Sequence, residues 1–148
     1  MFKRILVGFD GSAPSVEALR TAVLLAGRLG GEVAVVEVVP RGGAPRADGS
    51  GEATIAEAAR SGVRCSLEVV EGPRPSEVLA SHLVEHGYDL LVVGRQGNGA
   101  EEAQHAGAGT PQRGQRERPG RDLGSVARQL VEKATFPVLV VGAPASGG

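Results

Sequence analysis

Two glycine-rich segments of the chain have the residue types that bind phosphate. The first, Gly94-Arg95-Gln96-Gly97, directly follows an apolar run, and the second, Gly124-Ser125, opens a segment with helical spacing. Glycine lets a backbone approach a ligand closely, and a helix N-terminus offers N–H groups and a favourable dipole to an anion. A purely structural turn is the alternative for each segment. The pair therefore predicts an anion site if the fold brings the two segments together.

The other residue types that support catalysis do not form a set. His82 and His86, with Glu85 between them, match the H-x-x-E-H pattern of some zinc proteases. No third ligand is evident beside them, so we favour packing of partly buried histidines and expect no metal site. Cys65 alternates with apolar residues, so we expect a buried, inert thiol. No Ser/His/Asp or Cys/His set can be placed, and we assign no catalytic residue.

The composition excludes several classes of protein. The 148 residues include 16 Lys and Arg against 17 Asp and Glu and no Trp, which argues against a nucleic-acid-binding groove. A single cysteine cannot form an internal disulfide, which favours the cytosol. No export signal and no apolar stretch of about 18 residues is present, so we expect no membrane contact. No glycine-rich loop contains a lysine, which excludes a Walker A motif.

Alternating apolar runs and helical stripes predict the elements that must position these residues. Strands are predicted within residues 3–9, 33–39, 63–70, 90–93 and 137–141. Helices are predicted from 14 to 29, over 52–60 and 76–86, and from 125 onward, where Ser125 is the expected N-cap. Five strands that alternate with four helices indicate an α/β fold, a three-layer α/β/α sandwich around a parallel sheet.

The pattern of each strand predicts its place in the sheet. The first and fourth strands are apolar throughout and should be central, whereas the third alternates and should be an edge. This favours the order 3-2-1-4-5, in which the topology reverses between strands 1 and 4. Ligands bind beyond the carboxyl ends of the strands at such a point. The loops there are 8–12 and the one that starts at Gly94.

Residues 98–122 show neither helical nor strand periodicity. They carry four arginines and four acids and are otherwise rich in Gly, Pro, Gln and Ala. Such a composition buries too little apolar surface to offset its ordering entropy. We therefore predict one domain over residues 1–148 with a flexible insertion at about 98–122.

The sequence resembles the universal stress protein family. The opening strand ends in Asp-Gly-Ser within residues 5–12, and the closing strand at 137–141 reads Pro-Val-Leu-Val-Val. The nucleotide-binding branch of the family also carries Gly-x2-Gly-x9-Gly-Ser/Thr, which is matched by Gly94, Gly97, Gly124 and Ser125. Here 26 residues separate the two halves instead of nine, an excess of 17. Closure entropy grows only logarithmically with loop length, so the halves can still meet.

The resemblance implies an adenine nucleotide alpha hydrolase-like fold and a set of ligand-binding residues. Asp10 would line the pocket, and Val38 would offer backbone groups to the adenine. The ribose and phosphates would be surrounded by Gly94, Gly97, Gly124, Ser125 and Val126. Two roles stay open: Asp10 is alternatively a turn or helix cap, and Arg95 either reaches a phosphate or is an exposed loop arginine.

We therefore expect a small cytosolic stress-response protein that binds an adenine nucleotide and responds to it. The expected ligand is ATP, with AMP or ADP as alternatives and Mg²⁺ accompanying the phosphates. We expect at most slow hydrolysis, because no general base or metal-binding acid pair is evident near the glycine loops. An apolar last strand at a sheet edge predicts a homodimer through residues 136–141. The alternative is a dimeric interaction module without a nucleotide, whose long loop contacts a partner.

Overall fold

The computed structural model describes residues 2–43, 50–95 and 124–142, which form one sheet covered by helices. The strands are β1 (Arg4–Gly8), β2 (Glu32–Val39), β3 (Cys65–Glu71), β4 (Leu90–Gly94) and β5 (Val138–Val141). The helices are α1 (Ala13–Leu29), α2 (Ser50–Arg60), α3 (Pro75–His86) and α4 (Ser125–Lys133). Every limit that was predicted lies within about two residues of the observed one; no end was predicted for α4.

The sheet is parallel throughout and has the order β3-β2-β1-β4-β5. This confirms the predicted order and the three-layer α/β/α fold. Leu6 of β1 pairs with Ala34 of β2 on one side and with Leu91 of β4 on the other. Leu6 and Leu91 are fully buried, because both faces of these central strands are covered.

Side chains that alternate along each strand divide the interior into two cores. On one face Ile5 and Val7 pack in a cluster with Leu19 of α1 and with residues of α2. On the other face Leu6 packs with Leu83 of α3 and Leu130 of α4. Helices α1 and α2 therefore cover one face of the sheet, and α3 and α4 cover the opposite face.

Both ends of α1 are defined by local sequence signals. Ser12 is the N-cap, and its Oγ accepts the Ser15 N–H at 3.3 Å. Pro14 lies in the first turn, where its missing N–H is tolerated. Gly30 ends the helix in the left-handed region, at φ +72°, and its N–H bonds to Ala26. The helix thus begins directly beyond the carboxyl end of β1.

Two local expectations were wrong. Gly124, not Ser125, is the N-cap of α4, because its backbone is extended, at φ −68° and ψ 171°, and its carbonyl accepts the Arg128 N–H. The alternation expected for β3 also ends after Leu67. Val69 is 40% exposed, whereas Val70 packs against the core under α3 and α4.

The predicted insertion at about 98–122 lies outside the described residues, so the single-domain organisation stays a prediction. Among the described helices, none is both long enough and apolar enough to cross a membrane.

Candidate functional site

The candidate site is the edge of the sheet where β1 and β4 end side by side. The chain leaves β1 into α1 on one face, whereas the helix after β4, α4, lies on the opposite face. Connections that diverge in this way leave a crevice beyond the strand ends, the usual ligand site of such sheets.

The loop after β1 is a closed hydrogen-bonded turn. Asp10 Oδ1 accepts the Ser12 N–H at 2.9 Å, which is an Asx turn. Ser15 Oγ accepts the Asp10 N–H at 3.3 Å and donates to the Ser12 carbonyl at 2.9 Å. Gly11 lies between them at φ +84°, a conformation that favours glycine. Asp10 therefore caps this turn through one carboxylate oxygen, which is the alternative role considered for it.

The backbone groups of Val38 point to the β1 side of β2. Phe9 donates its N–H to the Val36 carbonyl at 3.0 Å, and the last β1–β2 pair joins Gly8 to Val36. Backbone groups alternate between the two sides of a strand, so those of Val38 point to the same side as those of Val36. They lie two residues past the last β1–β2 pair, beyond the end of β1.

Gly94 has a packing reason to be glycine. A Cβ at this position would lie 2.7 Å from the carbonyl carbon of Pro14 and 2.8 Å from its Cβ. The end of β4 therefore passes directly beneath the first turn of α1. This contact requires glycine whether or not a ligand is present.

The two halves of the glycine motif are joined by a hydrogen bond. The Arg95 carbonyl accepts the Gly124 N–H at 2.7 Å, and the Arg95 N–H donates to the Val141 carbonyl at 2.7 Å. The end of β4, the end of β5 and the start of α4 thus meet at Arg95. The excess of residues between Gly97 and Gly124 does not separate the two halves.

The N-terminus of α4 offers the crevice backbone donors. Gly124 is buried and has no side chain with which to cap the helix, while its carbonyl accepts the Arg128 N–H. Ser125 is exposed and Val126 is half-buried in the first turn. The first N–H groups of a helix have no partner within it and favour a negative charge. These groups and the Ser125 hydroxyl suit a phosphate.

Arg95 is not the exposed loop arginine that we weighed. The residue is half-buried, and its Nε is sealed from solvent with no hydrogen-bond partner among the described residues. A guanidinium donates hydrogen bonds and accepts none. The backbone of Arg95 thus adjoins the α4 N-terminus, while its side chain keeps one buried donor without a partner among the described residues.

The histidine pair and the cysteine lie elsewhere. His82 is nine-tenths buried, with its ring stacked on Tyr88 and its Nε2 3.6 Å from Glu68 Oε1. Within the described part of the chain no group of three metal-ligating side chains occurs. Cys65 is half-buried on β3, and desolvation raises the pKa of its thiol from 9.0 to about 11.

The structure brings the predicted site residues that it describes to one edge of the sheet. Gly97 lies outside the described residues. The sequence reasoning missed Pro14, Ser15 and Val141, which position the site through tertiary contacts. Only Ser15 had a signal, since it lies three residues after the capping Ser12.

The chain was compared with known families, sequences and structures. The model of the universal stress protein family matches residues 1–142. A comparison with curated protein sequences gives no match. A protein of that family from Burkholderia pseudomallei has a similar structure, with 25% identity and a TM-score of 0.64. That match covers 96% of this chain and 97% of the other.

Two further structures of this fold contain nucleotides. One is the universal stress protein from Archaeoglobus fulgidus in complex with dAMP, with 23% identity, a TM-score of 0.59 and 95% and 99% coverage. The other is an Arabidopsis thaliana universal stress protein family protein with AMP bound, with 15% identity, a TM-score of 0.63 and 97% and 93% coverage. At these identities the likeness shows a shared fold. The family match over residues 1–142 shows that the chain belongs to the universal stress protein family.

Proposed function

We propose that the protein binds an adenine nucleotide in the crevice between the ends of β1 and β4 and acts as a ligand-responsive module. The observation that carries this proposal is the 2.7 Å hydrogen bond from Gly124 N–H to the Arg95 carbonyl. It joins the two halves of the glycine motif despite the long segment between them. Family members with dAMP and AMP bound support the choice of ligand.

Each predicted residue has a proposed role. The outward backbone groups of Val38 hold the adenine, and Asp10 lines the pocket from the turn after β1. The ribose and phosphates lie against the end of β4 and the first turn of α4, at Gly94, Arg95, Gly97, Gly124, Ser125 and Val126. The donors of α4 are suited to phosphate because of the helix dipole.

ATP, with Mg²⁺ on its phosphates, is the ligand that we propose within this class. Hydrolysis is expected to be slow, so the bound nucleotide acts as a signal. Family membership supports a role in the stress response in the cytosol.

The direct test is to denature freshly purified protein and identify any released nucleotide by chromatography. We expect an adenine nucleotide in up to one copy per chain. Gly124→Val places a branched side chain at the buried N-cap and should lower ATP affinity by about tenfold or more, equivalent to about 1.4 kcal/mol. Gly142→Val is the matched control, because a Cβ there meets nothing within 4 Å.

If no nucleotide is released and the intact protein shows no calorimetric response to ATP, the proposal is wrong. The alternative of an interaction module without a nucleotide then takes its place. Equal ATP affinity in the Gly124→Val variant and its control would instead show that the α4 N-terminus does not contribute to ATP binding.

We also propose a homodimer through residues 136–141. In β5 the Pro137 and Val141 carbonyls accept N–H groups from Leu91 and Arg95, so alternate residues face β4. The backbone groups of Val138 and Val140 therefore point away from the sheet. All four residues of β5 are half-buried, and this edge has no neighbouring strand among the described residues. A second copy of this edge would pair with the outward backbone groups and would cover the half-buried side chains of β5.

A further inference from the structure

Helices α1 and α2 leave a groove between them on the outer surface of the molecule. Its volume is about 480 Å³, which is typical of small-molecule sites. The buried residues Ala58 and Val63 line it together with Leu24, a large apolar side chain that is 61% exposed. The part of α1 that lines the groove runs from Arg20 to Arg28, whereas the nucleotide crevice lies at the start of this helix. The groove is therefore a separate candidate site.

Gly27 opens the groove without serving the fold. It lies inside α1, where glycine is less favourable than alanine. Its φ is outside the left-handed region, and a Cβ would lie 3.5 Å from Val63 Cγ2, an ordinary contact. Neither packing nor backbone conformation therefore requires glycine here, in contrast to Gly94. The missing side chain leaves space in the groove beside Val63, which a ligand can fill.

The charged side chains of the groove favour an anionic ligand. Two arginines, Arg20 and Arg28, line it against one carboxylate, that of Glu57 on α2. Arg20 pairs with Glu17 at 3.1 Å, whereas Arg28 forms no ion pair with any residue that the structure describes. A guanidinium has only donors and binds carboxylates well. Arg28, next to Gly27 in the chain, is thus the cation that is available to a ligand in the groove.

We propose that this groove is a second ligand site, which binds a small apolar carboxylic acid. The apolar body of the acid lies against Leu24 and in the space beside Gly27, and its carboxylate lies at Arg28. Most of the affinity comes from the apolar surface that the ligand covers. Arg28 adds a preference for the anion, which is small because the residue is exposed. The site does not depend on the proposed nucleotide site.

The test is an NMR titration of the isotope-labelled protein with octanoate. We expect saturable shifts of amide signals along the groove in α1 and α2, and none in α3. Gly27→Leu fills the space and should lower the octanoate affinity by about tenfold or more, and Gly27→Ala should give an intermediate loss. Both changes raise helix propensity, so the variants should fold. Val84→Leu, at an exposed position of α3, is the matched control and should leave the affinity unchanged.

A parallel titration with 1-octanol, which has the same apolar chain without the charge, tests the role of Arg28. Arg28→Gln should lower the ratio of octanoate to 1-octanol affinity by about two- to fivefold, and Glu57→Gln should raise it. Arg60→Gln, in the last turn of α2, is the matched control and should leave the ratio unchanged.

Three results would each overturn the inference. The first is the absence of saturable shifts along the groove with octanoate. The second is an octanoate affinity that Gly27→Leu does not lower, and the third is an octanoate to 1-octanol ratio that Arg28→Gln does not change. None of them would affect the proposed nucleotide site, which calorimetry with ATP tests separately.

Discussion

Gly94 illustrates how single residues at the candidate site serve the fold as well as a ligand. The approach of β4 to the first turn of α1 leaves no room for a side chain, because a Cβ would lie 2.7 Å from the Pro14 backbone. A glycine in a ligand loop is often explained by the ligand alone. Here helix–sheet packing is by itself sufficient to require glycine.

This close contact predicts the effect of Gly94→Ala. The added methyl group meets backbone atoms that cannot rotate away, so the free energy of unfolding should fall by about 1–3 kcal/mol. Gly142→Ala, with open space around it, should change it by less than about 0.5 kcal/mol. Urea unfolding followed by circular dichroism measures both. Equal stability of the two variants would show that β4 and α1 are not in this contact.

At the scale of elements, the edge strand β3 carries the one thiol. Burial raises the pKa of Cys65 from 9.0 to about 11. Between these values the unfolded chain binds fewer protons than the folded chain, so the free energy of unfolding falls as the pH rises. The contribution is fully present below about pH 9 and is lost towards pH 11. Over this pH window the free energy of unfolding of the Cys65→Val variant should fall less than that of the wild type.

Urea unfolding of both proteins at several pH values across that window measures the difference. Only the difference between the two proteins is informative, because it isolates the contribution of the thiol. If the free energy of unfolding changes with pH in the same way for the wild type and Cys65→Val, the thiol on β3 is not desolvated.

The elements themselves could be predicted because each depends on local pattern. The apolar run at Leu90 to Val93 marks a central strand, and Ser12 with Pro14 marks the start of a helix. The contacts that bring the parts of the site together could not be predicted, because they join residues far apart in the sequence. The bond between Arg95 and Gly124, the sealed Nε of Arg95 and the contact of Gly94 with Pro14 are all tertiary.

At the scale of the whole molecule, β5 links the candidate site to the proposed dimer. Its Val141 carbonyl accepts the Arg95 N–H, while its outer edge is the surface that a second copy would cover. Two copies related by a two-fold axis would each cover the other's β5 edge, so that no such edge remains for a third copy. The dimer thus needs no element other than β5.

The outward direction of the Val140 N–H makes the dimer testable. Val140→Pro removes this donor without removing a β4–β5 hydrogen bond, because proline is tolerated on the open side of an edge strand. We expect light scattering with chromatography to show a dimer for the wild type and for Val140→Thr, and a monomer for Val140→Pro. A monomeric wild type at micromolar concentration, or a dimeric proline variant, would contradict pairing through this strand.

The central claim is that the closed glycine motif of this family member forms a nucleotide site. Calorimetric titration of nucleotide-free, folded protein with ATP, ADP and AMP tests it most directly. We expect saturable binding of at least one of them at one site per chain, weakened by Gly124→Val and retained in Gly142→Val. The absence of a saturable response to all three nucleotides, from protein that circular dichroism shows to be folded, would contradict it.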